Sequence, residues 1–252
     1  MLCQFDYQPA NGLLKDKVIL VTGAGAGIGR AAAKAYAAQG ATVVLLGRTI
    51  SKLETVYDEI LAAGGAEPAI YPLNLEGATW PDYQTMADKL YETFGRLDGI
   101  LHNASILGTL SPVQSYNPEL WQRVMHVNFN APVMLQQATL ALLQEAEDAS
   151  IIFTSSSVGR VGRAFWGPYA SSKFATEGFV QILSQELENT SNVRVNSLNP
   201  GATRTQMRAD AFPAEHPNTL RTPEEIMGTY LYLMGADSKG VTGQMFNAQP
   251  DR

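Results

Sequence analysis

Apolar and polar positions along this chain follow two rhythms. Short, mostly apolar runs of five or six residues recur at Val18 to Thr22, Ala41 to Leu46, Pro68 to Leu73, Asp98 to His102, Ser150 to Thr154 and Val193 to Leu198. Between them lie longer stretches with helical spacing. These run from Ile28 to Gln39, from Ser51 as a cap to about Ala63, from Pro81 to Phe94, from Pro118 to Leu143, from Tyr169 to Leu187 and from Glu224 to Met234. Gly95 is placed to end the third of these. Pro132, inside the fourth, predicts a kink or a break. Val241 to Phe246 reads as a last strand. Strands without polar alternation are buried on both faces, so the pattern predicts a parallel sheet with helices on each side.

No linker, repeat or low-complexity block divides the 252 residues. The expected architecture is one α/β domain over 1–252, a Rossmann-type doubly wound parallel sheet, with 1–14 as an N-terminal arm. Ligands of such sheets bind at the carboxyl ends of the strands, near the point where the strand order reverses. Four segments fall there: the turn after Thr22, His102 to Ser105, Ser155 to Gly159, and Asn199 to Thr205.

Composition narrows the partners. A hydrophobic content of 45% with 17% charged residues supports a sizeable core. A net charge of -6 argues against nucleic acid. Cys3 is the only cysteine, which fits a reducing compartment. The first residues lack the basic and apolar regions of a signal peptide. Ala131 to Leu143, interrupted by Gln136 and Gln137, is too short and polar to span a bilayer. A cytoplasmic protein with no membrane partner is expected. His102, His126 and His216 are scattered without ligand spacing, so no metal is expected.

The first turn reads Thr22-Gly23-Ala24-Gly25-Ala26-Gly27-Ile28-Gly29 between a predicted strand and helix. Small residues let the backbone approach a pyrophosphate, and the following helix start favours negative charge. No G-K-[ST] follows, which excludes a nucleoside-triphosphate P-loop. The second strand ends Leu46-Gly47-Arg48-Thr49, where a carboxylate would take the ribose 2′-hydroxyl of NAD. Arg48 instead suits a 2′-phosphate, so NADP(H) is expected ahead of NAD(H), with Arg30 as a weaker second candidate. Further along, Tyr169 and Lys173 share a helix face. A nearby ammonium would lower the phenol from its usual pKa of about 10 toward useful acid/base work. Ser156 can hold a substrate oxygen beside it. A lone Y-x-x-x-K is a weak signal, but none of the other nine tyrosines has Lys at the fourth position after it.

In this order, T-G-x-x-x-G-x-G, then an N-A segment, then S-x-x-G and Y-x-x-x-K, the chain resembles the short-chain dehydrogenases/reductases over nearly its whole length. The segments S-S-S-V-G-R, K-F-A-T-E-G, Y-L-Y-L-M-G and N-A-Q-P are similar to the YciK-type oxidoreductases of bacteria. The resemblance implies a catalytic tetrad of Asn128, Ser156, Tyr169 and Lys173, with Ser155 and Ser157 the near competitors of Ser156. Lys173 would lower the Tyr169 pKa and bond the nicotinamide ribose, and Asn128 would hold a backbone position and a relay water. It implies cofactor contacts from Gly23, Gly25, Ala26, Gly27, Ile28, Gly29, Arg48, Asn103, Ala104, Tyr169 and Lys173. Pro200, Gly201, Thr203 and Thr205 would meet the nicotinamide and diphosphate.

Three departures stand out. Ser105 replaces the usual Gly of N-N-A-G, and Asn74 replaces an Asp near adenine, leaving Asn74 and Leu75 as weaker contacts. Ala248-Gln249-Pro250 replaces D-G-G, which puts the usual C-terminal packing in doubt. The family's mobile substrate lid corresponds to 204–222. Phe165 and Trp166 either wall the substrate pocket or pack on a neighbour. Arg160, Arg163, Arg204 and Arg208 read as a solvated basic rim ahead of an anion-binding set. The implied activity is NADP(H)-dependent hydride transfer between nicotinamide and a small-molecule carbonyl or alcohol. Tyr169 would be the acid/base, in a homodimer or homotetramer built on the helices carrying Asn128 and Tyr169. The alternative, a non-catalytic NADP sensor on the same fold, predicts a damaged tetrad, and all four positions are filled.

Overall fold

A computed structural model describes residues 2–250. Among them, eight parallel strands form one sheet: β1 (Leu2–Cys3), β2 (Val18–Thr22), β3 (Thr42–Gly47), β4 (Ala69–Pro72), β5 (Gly99–His102), β6 (Ala149–Thr154), β7 (Val193–Asn199) and β8 (Met245–Asn247). Their order is β1-β8-β7-β6-β5-β2-β3-β4. The chain therefore winds outward from β2 through β4, then restarts at β5 beside β2 and winds the other way. That reversal opens a crevice between the carboxyl ends of β2 and β5.

The strands are buried on both faces because successive side chains feed opposite layers. Ile19, Val21, Val43 and Leu45 enter one core with α1 (Gly27–Ala38), α2 (Ile50–Ala62) and α8 (Met227–Met234). Leu20, Val44, Leu46, Ile151 and Val195 enter the other with α3 (Trp80–Phe94), α5 (Ala131–Gln144) and α6 (Gly167–Leu187). In α1 the run Ala31, Ala32 and Ala33 is buried, and its small side chains let the helix lie close to the sheet. Gly95 closes α3 in the left-handed conformation, as its position in the sequence predicts.

Several boundaries differ from the sequence expectation. Helix α2 starts at Ile50 with Thr49 as its cap, ahead of Ser51, because the Thr49 carbonyl already accepts from Lys52 and Leu53. The long stretch after Pro118 is not kinked at Pro132. It divides into α4 (Pro118–Met125) and α5 around a π turn at His126–Asn130, just upstream of the proline. Pro132 has no N–H for the carbonyl four residues back, at position 128, and the ladder widens there to an Ala131 N–H bonded to the His126 carbonyl. Strand β8 begins at Met245 and not Val241, since Gly240 and Gly243 carry φ of 79° and 68° and hold a turn.

Two elements have no counterpart in the apolar pattern. Leu2–Cys3 pairs with Phe246 and Asn247 as an edge strand. The rest of the arm docks on α8 and its surroundings, where Gln4 N–H donates to Thr229 Oγ1 at 3.1 Å and the Arg221 guanidinium lies 3.9 Å from the Phe5 ring centre. The short helix α7 (Gln206–Ala211) lies within 204–222. Among the described residues, no helix is long and apolar enough to cross a membrane.

Candidate active site

The turns after β2, β5, β6 and β7 converge on one cleft of about 640 Å³. The β2 turn is shaped by its glycines. Gly23 and Gly27 have φ of 69° and 52°, which L side chains rarely adopt. A Cβ on Gly23 would lie 3.1 Å from the Ala104 Cα, and one on Gly29 would overlap the Gly23 carbonyl oxygen. Helix α1 starts at this turn, and Ala26 at its cap offers no side-chain oxygen to the free N–H groups. Thr22 ties the turn to the next: its hydroxyl accepts from the N–H groups of Asn103 (2.9 Å) and Ala104 (3.0 Å). Gly23, Gly25, Ala26, Gly27, Ile28, Asn103, Ala104 and Ser105 all line the cleft, and Gly29 supports it from behind.

Arg48, Asn74 and Leu75 line the same end. The Arg48 guanidinium forms no ion pair or hydrogen bond among the described residues, and the side chain borders open space. Arg30 does not compete with it. Its guanidinium is held by Glu59 at 2.5 and 3.0 Å, outside the cleft lining.

The three serines after β6 separate cleanly. All three border the cleft, but Ser155 is buried and its hydroxyl is committed to Glu177 Oε1, to which it donates at 2.6 Å. Ser157 is exposed. Ser156 is half-buried, lines the cleft and caps the short turn Ser157–Gly159 by accepting from the Val158 N–H. Gly159 explains the S-x-x-G spacing physically: a Cβ there would lie 2.6 Å from the Lys173 Cβ. Only glycine lets the serine turn press flush against α6.

Tyr169 and Lys173 stand one turn apart on α6, both buried. Tyr169 lines the cleft, with the Trp166 ring 5.8 Å away. Lys173 lies behind it: Nζ donates to the Thr154 carbonyl at 2.8 Å and sits 5.6 Å from the Tyr169 ring centre. The expected lowering of the Tyr169 pKa by Lys173 is not what this arrangement gives. Burial dominates and pushes the phenol up to about 12, with the Ser156 hydroxyl pulling the other way. Burial also pushes Lys173 down to about 8, against the attraction of Glu177. Asn128 is buried in the π turn and does not line the cleft. Its amide brackets Ile106, accepting from the N–H at 2.8 Å and donating to the carbonyl at 2.9 Å, and also donates to Ser172 Oγ at 3.2 Å. It thus fixes the loop after Asn103 against the helix of Tyr169.

After β7, Pro200, Gly201, Thr203 and Thr205 line the cleft. Gln249 braces this loop, donating to the Pro200 carbonyl at 2.8 Å and the Ala202 carbonyl at 3.2 Å. The C-terminal packing left in doubt by Ala248-Gln249-Pro250 is therefore supplied in part by Gln249 itself. Segment 204–222 is braced internally, with the Arg204 N–H on the Arg221 carbonyl at 2.8 Å.

The basic rim is solvated only in part, with Arg163 and Arg204 exposed. Arg160 is buried against Glu177 at 2.7 Å, Arg204 donates to the carbonyls of Pro217 and Leu220, and Arg208 pairs with Glu215 at 2.6 Å. Arg163 remains exposed at the cleft. Trp166 and Phe212, with rings 5.8 Å apart, form the wall beside Tyr169 together with Met207 and Val158, whereas Phe165 faces solvent.

A glycine-turned doubly wound sheet with a Ser, Tyr and Lys gathered beside the crevice defines a class: dinucleotide-dependent oxidoreductases. The chain belongs to the short chain dehydrogenase family, whose model matches residues 17–216. It is 52% identical over 246 residues to the oxidoreductase YciK of Escherichia coli K12, covering 98% of this chain and 97% of that one. A protein described as a short chain dehydrogenase of Pseudomonas syringae superposes with a TM-score of 0.96 at 58% identity, over 98% of this chain and all of its own. Another, from Escherichia coli CFT073 and complexed with NADPH, gives 0.93 at 52% identity, over 96% of this chain and 100% of that chain. The protein is thus an enzyme, an oxidoreductase of this family.

Proposed function

We infer that the protein is an NADP(H)-dependent carbonyl reductase acting on small molecules in the cytoplasm. The observation that carries this reading is the shared cleft, which joins the glycine turn and the unpaired Arg48 at one end to Ser156 and Tyr169 at the other. The residues suit the cofactor. The glycine cradle has no room for an added carbon, and the uncapped N-terminus of α1 favours a diphosphate. Arg48 would take the 2′-phosphate, as the NADPH complex of a 52% identical neighbour supports. Asn74, Leu75, Asn103, Ala104, Pro200, Gly201, Thr203 and Thr205 would complete the contacts. When bound, the nicotinamide would supply the hydride to a carbonyl carbon or take it from an alcohol carbon.

The chain's own residues would handle the oxygen. Ser156 and Tyr169 would hydrogen-bond it as negative charge develops, and Tyr169 would hand over its proton. A buried phenol held near 12 carries its proton at neutral pH and can donate it to the developing alkoxide. Lys173 would support Tyr169 from behind with its ammonium, and Asn128 would hold the Ile106 loop that faces the substrate. Segment 204–222 would close over the substrate, offering Met207 and Phe212. The wall of Trp166, Val158, Met207 and Phe212 suits a carbonyl on an apolar body. NADPH oxidation with a panel of diketones, quinones and aldehydes tests this. Tyr169→Phe should cut turnover about 1,000-fold while NADPH affinity, read by fluorescence titration, stays within about 2-fold. Unchanged turnover in that variant would refute the assignment.

A further inference from the structure

Behind the cleft lies a buried charge pair that the proton-transfer scheme does not use. Arg160 follows the serine turn, and Glu177 stands one helical turn beyond Lys173 on α6. Their side chains are only 9% and 7% exposed. Arg160 Nε donates to Glu177 Oε1 at 2.7 Å, Nη1 to Asn247 Oδ1 at 2.9 Å and Nη2 to the Phe246 carbonyl at 3.0 Å. Glu177 also accepts from Ser155 Oγ at 2.6 Å and from Ser197 Oγ at 2.5 Å. Asn247 accepts from Asn199 Nδ2 at 3.0 Å. The pair therefore touches the residue before Ser156, the end of the serine turn, the helix of Tyr169 and Lys173, and the strand leading to Pro200.

We propose that Arg160 and Glu177 are positioning residues: they lock the Ser156 turn to the Lys173 helix and keep a fixed carboxylate behind the Lys173 ammonium. A buried ion pair is weak evidence for stability, since well-packed apolar residues often serve as well or better. What apolar residues cannot supply is negative charge at this place together with directed bonds to Ser155 and Ser197. The surroundings of Lys173 make that charge count. On its own helix the titratable neighbours are Tyr169 and Glu177, and from the serine turn it is Arg160. Strand β6 offers the Thr154 carbonyl, with Tyr230 of α8 beside it and kept protonated by burial. Strand β7 offers Ser197, and the π turn offers Asn128 through Ser172, while His126 lies toward Phe179 on another side of α6. Glu177 is thus the anionic group set against the lysine, and its attraction opposes the effect of burial.

The inference rests on the reductase reading, so the test has one readout that needs no turnover. In nucleotide-free full-length protein labelled with 15N-lysine, NMR follows the Lys173 ammonium, assigned with Lys173→Arg. Glu177→Gln, nearly isosteric, should lower the Lys173 titration by about 1 pH unit. Arg160→Met, which leaves the carboxylate without its counter-charge, should move it upward. A purely structural pair would give no shift or the same sign in both, and either outcome overturns the proposal. In the second readout, both variants should lose about 10-fold or more in kcat with NADPH affinity within about 3-fold, and Arg160→Lys should recover part of the loss. If Arg160→Met does not fold, Glu177→Gln decides alone. Opposite lysine shifts without any wild-type turnover would sink the reductase reading and leave the positioning role standing. Turnover with an unmoved lysine does the reverse.

Discussion

At the glycine end of the cleft, backbone meets backbone: Gly23 faces Ala104, and Gly29 faces the Gly23 carbonyl, with no room for one more carbon. At the aromatic end, Trp166, Met207 and Phe212 meet across a gap that only side chains define. On the proposed reading, the first end would recognise what every nucleotide of one kind shares. The second takes its shape from residues on a loop and a short helix, which can be exchanged without disturbing the sheet. Main-chain contacts make the glycine end intolerant, whereas side-chain contacts leave the aromatic end adjustable.

Substitutions at each end should sharpen or break this contrast. The largest effect is expected from Gly29→Ala. The added methyl would overlap the Gly23 carbonyl and cost about 2 kcal/mol or more, read as a lower melting temperature that NADPH no longer raises. Normal NADPH-dependent stabilisation would show that the cradle yields. Next comes Arg48→Asp, which should weaken NADPH about 100-fold through loss of charge-assisted bonds and NADH far less. Equal losses in titrations of the two would remove Arg48 from the 2′-phosphate site.

A pH effect of intermediate size belongs to the seam between the ends. Lys173 is held below its ordinary value, at about 8, so its charge is present below that pH and lost above it. The reduction rate should therefore fall as pH rises through about 8. The fall should disappear in whatever activity Lys173→Arg retains, because a guanidinium does not titrate there. A profile unchanged by that variant would assign the limb to another group. The smallest effect is expected from Phe212→Leu. It should shift KM a few-fold, and differently for aromatic and aliphatic carbonyls, through loss of ring contacts worth about 1 kcal/mol. NADPH affinity should not move, and a parallel loss of it would mean that the two ends are coupled.

The glycine end was legible in the chain because its motif states its geometry: glycine at positive φ and at close approach. The same holds for Ser156, Tyr169 and Lys173, whose spacing is set by a turn and a helix. Arg48 was placed by its register at a strand end ahead of Arg30, and the ion pair that occupies Arg30 with Glu59 became visible only in space. Pairings remote in sequence stayed hidden. Arg160 looks like a rim residue until Glu177, seventeen positions later, is folded beneath it. Gln249 contacts Pro200 across 49 positions, and no local pattern announces that. Strand β1 is two residues long, too short to show any period. The π turn came from the interplay of Asn128 and Pro132, where the proline signalled a break but not its place.

Because Gly159 lies flush on Lys173, the serine turn and the Tyr169 helix are packed as one block. On the proposed reading, a lineage drifting toward a new substrate would have to retune Ser156 and Tyr169 together. Its accessible steps lie at 163–166 and 207–212, outside that fused block. A mutational library aimed at altered specificity would find most of its survivors in those two windows, and residues 155–160 would return almost none.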